Sequence, residues 1–249
     1  TTPYLTGPGG GGTMSVAETP EQARRFVAYW AEEGASWIKF YTNISREAMG
    51  AAIDEAHKQG MKATGHLCSV TFREAVDLHI DDLAHGGMTA SDFIPGKQPD
   101  KCPPNSLVAT DKGVSGDSPG ATSLIAYMIE HGASMTTTPA VYELFYQNRP
   151  VQDPRVLDLM APEVRTAYVA ERNQIDTTTN WPLTAEGFAR SLAFDLALYK
   201  AGGVLASGVD PTGNGGALPG RGDQRGYEIL IEGTCTPEQA VQGVTLNGA

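Results

Sequence analysis

Short apolar runs bracketed by turn residues alternate with longer stretches of helical period along most of this 249-residue chain. Five runs predict strands: 36–42 (SWIKFYT), 61–66 (MKATGH), 81–85 (DDLAH), 133–138 (ASMTTT) and 203–208 (GVLASG). Helix signals fill the intervals. Thr19-Pro20-Glu21-Gln22 is an N-cap with proline at N1 and glutamine at N3, opening a helix that Gly34 closes. Ser45 caps a second helix that Gly60 stops. Further helices are predicted at 71–80, 121–131, 184–201, 222–233 and 236–246, with broken helical pieces between 140 and 173 at Pro150, Pro154 and Pro162. Residues 88–120 show no clear period and are rich in Pro, Gly, Asp and Ser, the composition of a lid or a mobile loop.

Strand and helix alternating at this spacing imply βαβ units and a parallel sheet. Five strands suffice for a doubly wound sheet, and they also fit part of an eight-stranded barrel. No dinucleotide fingerprint accompanies them, since the glycine-rich run 7–12 (GPGGGG) follows no readable strand. The composition, 41% hydrophobic and 19% charged, is that of a chain able to bury a sizeable core. A net charge of −11 argues against nucleic acid and anionic membranes as partners. No apolar run approaches the ~18–20 residues of a membrane span. Three scattered cysteines, Cys68, Cys102 and Cys235, predict neither a disulfide framework nor a zinc ribbon.

Lys39 is the anomaly of the pattern, a cation inside the strand run WIKFY. A charged, unpaired amine there costs several kcal/mol. Either it reaches solvent at a strand end or its amine has a chemical role. The histidines sort by position. His57, His79 and His131 stand at helix ends, where carbonyl capping explains them. His66 and His85 stand instead at the carboxyl ends of strands, and Asp210 follows the last strand. Those ends form the ligand face of parallel α/β folds. Lys39, His66, His85 and Asp210 thus converge on one rim, a donor set suited to a divalent metal. Tyr41 shares the face of Lys39, nearer the mouth, and with Thr137, Thr138 and Tyr142 it is a candidate substrate contact. Residues 207–216 (SGVDPTGNGG) form a glycine-rich loop that lets backbone approach the site.

Taken together, WIKFY, ATGHL, LAHGG and SGVDP resemble the amidohydrolase superfamily of metal-dependent hydrolases, in particular its dipeptidase and imidazolonepropionase-like branch. The resemblance runs from the glycine-rich run 7–12 to the closing TPEQAVQGVTLNGA. It implies a (β/α)8 TIM barrel, of which this sequence supplies about strands 4–8 as one partial catalytic domain. It implies that Lys39 is carboxylated by CO2 and bridges two divalent metals. Zinc is the default, with manganese, iron, cobalt or nickel as alternatives. His66 and His85 are then metal ligands, and Asp210 is both ligand and catalytic base. The expected reaction is hydrolysis of an amide bond (peptide, N-acyl or cyclic) in a small substrate by metal-activated hydroxide. Lactones and phosphotriesters suit the same centre.

The family's first-strand His-x-His pair and its small β-sandwich have no counterpart in this sequence, so the expectation is a chain lacking N-terminal and C-terminal parts. A non-catalytic binding or assembly module on a truncated barrel is the alternative. A small-molecule substrate is the expected partner; self-association and localisation are left open.

Overall fold

The computed structural model describes residues 1–150, 152–211 and 217–248 as an α/β fold on a seven-stranded, wholly parallel sheet. Its strands are β1 (Tyr4–Thr6), β2 (Ser15–Val16), β3 (Trp37–Phe40), β4 (Lys62–Gly65), β5 (Asp82–Ala84), β6 (Ser134–Thr137) and β7 (Leu205–Ser207). They lie in the order β2-β1-β3-β4-β5-β6-β7. All five runs read as strands are present, each trimmed at its ends. The first two strands were not legible, being three and two residues long. The glycine-rich run 7–12 therefore does follow a strand, although no helix follows it before β2.

From β3 to β7 the spatial order is the chain order, and each parallel step is made by a helical crossover. The helices pack on one another along one side of the sheet: Pro20–Glu32 on Arg46–Lys58, Phe72–Asp77 on Pro119–Glu130, and Pro119–Glu130 on Ala185–Lys200. Burial alternates accordingly. Ile38, Phe40, Ala63, Leu83, Met135 and Leu205 are buried against that helix layer. Their alternates Trp37, Lys39, Thr64, Ser134 and Thr136 face an open concavity on the other side. One covered face and one concave polar face is a barrel-like winding, not a doubly wound one. Among the described residues the sheet is open, with β2 and β7 as its edges. The caps read from sequence hold: Thr19 and Gln22 form a capping box, and the Ser45 side chain accepts from Ala48 N–H. Among the described residues no helix is long and apolar enough to cross a membrane.

The cysteine reading needs correction. Cys68 and Cys102, 34 residues apart, are joined in a disulfide, and Cys235 is free. Two bonded cysteines among three scattered ones leave no spacing signal. The bond pins the stretch 88–120, which is also more regular than its composition suggests. It contains 3₁₀ turns at Gly86–Thr89 and Ser91–Phe93 and a helix at Ser106–Gly113. Around the disulfide, Lys97 Nζ donates to Ser69 O at 2.6 Å and Arg46 pairs with Asp100 at 3.0 Å. The Asp92 carboxylate accepts from Phe72 and Arg73 N–H at 2.8 and 3.0 Å, closing the amino end of helix Phe72–Asp77. Closing a loop of this length removes about 3–4 kcal/mol of chain entropy from the unfolded state. The double variant Cys68→Ala/Cys102→Ala is expected to lose stability of that order, read from urea unfolding midpoints. An unchanged midpoint would show that the noncovalent anchors suffice.

Candidate metal centre

The site is built where the carboxyl ends of four strands meet the concave face. On that face Asp82 collects three hydroxyl donors, Thr64 Oγ1 at 2.7 Å, Ser134 Oγ at 2.9 Å and Thr136 Oγ1 at 3.0 Å. Lys39, beside Thr64 in register, adjoins this polar layer. The anomaly of a lysine in an apolar run is thereby explained structurally: Ile38 and Phe40 face the helices, while Lys39 faces the polar concavity.

Above this layer lies a cavity of about 470 Å³ lined by Lys39, Tyr41, His66, His85, Tyr142 and Asp210, six of the eight residues singled out from the sequence. His66 and His85 are packed ring to ring, with centroids 4.5 Å apart. His85 Nδ1 lies 2.8 Å from Thr138 Oγ1 and 3.7 Å from Asp210 Oδ2. The adjacent threonines part company: Thr138 meets His85, whereas Thr137 points into the helix layer and donates to Asp195. The glycine-rich loop is described only as far as Pro211, so residues 212–216 lie outside the described residues. Ser106, Leu107 and Thr110 of the pinned segment line the cavity, giving that stretch the place expected of a lid.

Electrostatics favour lone-pair donors. Burial, then the Lys39 charge, pushes the His66 imidazole down to about 3. Burial, then His66 and Lys39, holds His85 well below the ordinary imidazole range. Both rings are neutral at physiological pH. Burial also lowers the Lys39 amine, against the opposing pull of Asp82 and Asp210. The Tyr142 hydroxyl is raised by burial and then by Asp210 and Tyr41, so it stays protonated.

These residues fit a divalent metal in their chemistry. Two neutral imidazoles and a nearby carboxylate are suitable donors. They do not form a complete set alone: among the described residues no three His, Cys, Asp or Glu side chains are grouped to hold a metal. A metal held here would need a further donor beyond these three, and Lys39 is the adjacent candidate once its amine carries an anionic oxygen group.

One buried residue escaped the sequence reading. Asp195, in the helix Ala185–Lys200, accepts from Gly87 N–H at 2.7 Å and Thr137 Oγ1 at 2.6 Å, so it ties together the segments after β5 and at the end of β6. It also explains Gly86, whose φ is +70° and where a Cβ would fall 2.4 Å from Asp195 Oδ2. The neighbouring His85 is itself left-handed at φ 77°. Burial pushes the Asp195 carboxyl up to about 7 against those two hydrogen bonds.

The sign follows. Below pH 4 the group is protonated in both states. Between pH 4 and 7 only the unfolded chain ionises, so stability is lost as pH rises through that window. His66 and His85, neutral in the fold, oppose this below pH 6.5, equally in wild type and variant. Asp195→Asn is therefore expected to gain stability relative to wild type on going from pH 4 to pH 8, by up to about 4 kcal/mol. Urea midpoints at the two pH values check this, and a pH-independent difference would contradict it.

No protein-family model matches the chain, and no curated protein matches it in sequence. Solved structures do. Bottromycin amidohydrolase superposes with a TM-score of 0.62 at 17% identity over 98% of this chain and 53% of that one. A provisionally assigned prolidase from Bifidobacterium longum gives 0.55 at 18% identity, over 99% and 53%. An uncharacterized protein gives 0.55 at 15% identity, over 99% and 55%. The chain thus spans about half the length of the structures it matches. At these identities the likeness shows a shared fold alone.

Proposed function

We propose that this chain carries the catalytic face of a metal-dependent hydrolase acting on an amide bond of a small substrate. The observation that supports it is the convergence of Lys39, His66, His85 and Asp210, from strands β3, β4, β5 and β7, on one cavity. A packing role would not require two neutral imidazoles in ring contact beside a carboxylate and a buried amine. The names of the structural neighbours, an amidohydrolase and a prolidase, point to the same chemistry.

In this reading Lys39 supplies the missing anionic donor as a carbamate. Its amine nitrogen bonds to the carbon of CO2 and gives up a proton. The lowered basicity of that amine favours the free base that this addition needs. Carboxylated Lys39, His66, His85 and Asp210 would then hold the metal, zinc by default. When bound, divalent metal lowers the pKa of water toward ~7 and polarises the scissile carbonyl. Asp210 takes the proton of the attacking water on its carboxylate and delivers it to the departing amine nitrogen. Thr138 holds His85 through Nδ1, leaving Nε2 as that ring's other donor. Tyr41 and Tyr142 flank the histidines as substrate contacts.

The experiment is chelation and reconstitution. Protein dialysed against chelator is expected to lose amide hydrolysis, and zinc with bicarbonate to restore it. Activity that persists after chelation would end the metal-dependent reading, and none under any metal and bicarbonate condition would favour the binding module.

A further inference from the structure

The walls of the cavity carry a second kind of information, about what is bound. Six rings run in series across the strand ends: Tyr4, Tyr41, His66, His85, Tyr142 and Phe145. Successive centroids are 5.5, 4.9, 4.5, 5.6 and 6.2 Å apart, and Tyr4 and Tyr41 are stacked within 8° of parallel. The lining adds the apolar side chains of Met14, Met88, Leu107 and Val141, with hydroxyls from Thr89, Ser91, Ser106 and Thr110. Lys39 is the one lysine or arginine among the described lining residues, and Asp210 is the one carboxylate.

We propose that the site selects neutral amides bearing an aromatic ring and discriminates against ligands with a free carboxylate. The inference rests on the proposed function for the amide and narrows its substrate class. An aromatic ring can stack against Tyr4, Tyr41 or Phe145 in an offset or edge-on arrangement and gains from the apolar lining side chains. The cavity volume lies within the range of small-molecule sites. A carboxylate gains nothing comparable, because the charge of one divalent ion at the proposed centre would already be balanced by a Lys39 carbamate and Asp210. It meets Asp210, and it has no arginine fork to receive it among these residues. The one amine, Lys39, is used by the metal centre in the proposed reaction. Dipeptides, whose C-terminal carboxylate needs such a partner, are the disfavoured members of the candidate set. N-acyl amides and cyclic amides with an aryl substituent are the favoured ones.

The test compares three probes on the protein as isolated: N-acetyl-phenylalaninamide, N-acetyl-phenylalanine and N-acetyl-alaninamide, with dissociation constants from NMR titration. The aromatic amide is expected to bind at least about tenfold tighter than either of the others. Tyr41→Leu is expected to weaken the aromatic amide severalfold more than the alanine amide. Phe145→Leu, at the far end of the series, provides the same comparison should the first variant fold poorly. Equal affinity for the carboxylate, or for the alanine amide, would overturn the inference. The two readings fail separately. A ring-amide preference without metal-dependent hydrolysis removes the enzyme and keeps the ligand class. Metal-dependent hydrolysis that favours the carboxylate keeps the enzyme and removes the ligand class.

Discussion

Replacing Lys39 by alanine is expected to abolish both metal retention and amide hydrolysis while leaving the fold intact. The expected loss in kcat/KM is about three orders of magnitude or more, the equivalent of ~4 kcal/mol of transition-state stabilisation. The reason is a shortage of donors. His66 and His85 contribute two imidazoles and Asp210 lies 3.7 Å from one of them, but among the described residues no three His, Cys, Asp or Glu side chains are grouped to hold a metal. In the proposed centre a carbamate on Lys39 would be the donor that turns this partial set into a holding site, so its removal should cost the metal as well as the reaction. Stability should be unchanged or raised, because burial of the amine is unfavourable. A lysine serving only to neutralise Asp82 and Asp210 predicts the reverse, a less stable protein with unchanged metal content. The combination of melting temperature and metal analysis separates these cases.

Asp210→Asn is expected to lower kcat by about 10²–10⁴ with a much smaller effect on KM. Asparagine keeps the size and the hydrogen-bonding reach of the side chain beside His85. It cannot accept the proton of the attacking water or return it to the leaving nitrogen. The residue is held at φ 46°, a left-handed conformation that asparagine also tolerates, so the backbone should not move. Steady-state kinetics across pH checks the assignment. A kcat within tenfold of wild type would place the proton-transfer role elsewhere.

Much of this was readable without coordinates, for specific reasons. Lys39 is conspicuous because a strand run leaves few innocent explanations for an amine, and strand alternation alone puts it opposite Ile38 and Phe40. His66 and His85 separate from His57, His79 and His131 because strand ends and helix ends place side chains in different surroundings. The bland reading suits His131, whose Nδ1 lies 2.9 Å from Tyr127 O, whereas His57 pairs with Asp81 instead.

What stayed hidden depends on contacts between distant segments. β1 and β2 are too short for a period to form. Cys68 and Cys102 meet only because the pinned segment folds back over β4. Asp195 stands in an apolar stretch, Leu192–Leu198, where a carboxylate was a signal that went unread. Its partner Gly87 lies 108 residues away, and no local pattern links them. The helix Ser106–Gly113 follows two prolines and a left-handed Asn105 that offers no side-chain cap, so it lacked the signature that marked the others.

Metal content per chain tests the central claim most directly, by elemental analysis of protein purified without chelator in the presence of bicarbonate. The account predicts at least one divalent ion per wild-type chain and essentially none in Lys39→Ala. Wild-type protein free of metal, with no activity recovered on adding metal and bicarbonate, would contradict it. So would equal metal content in the two proteins.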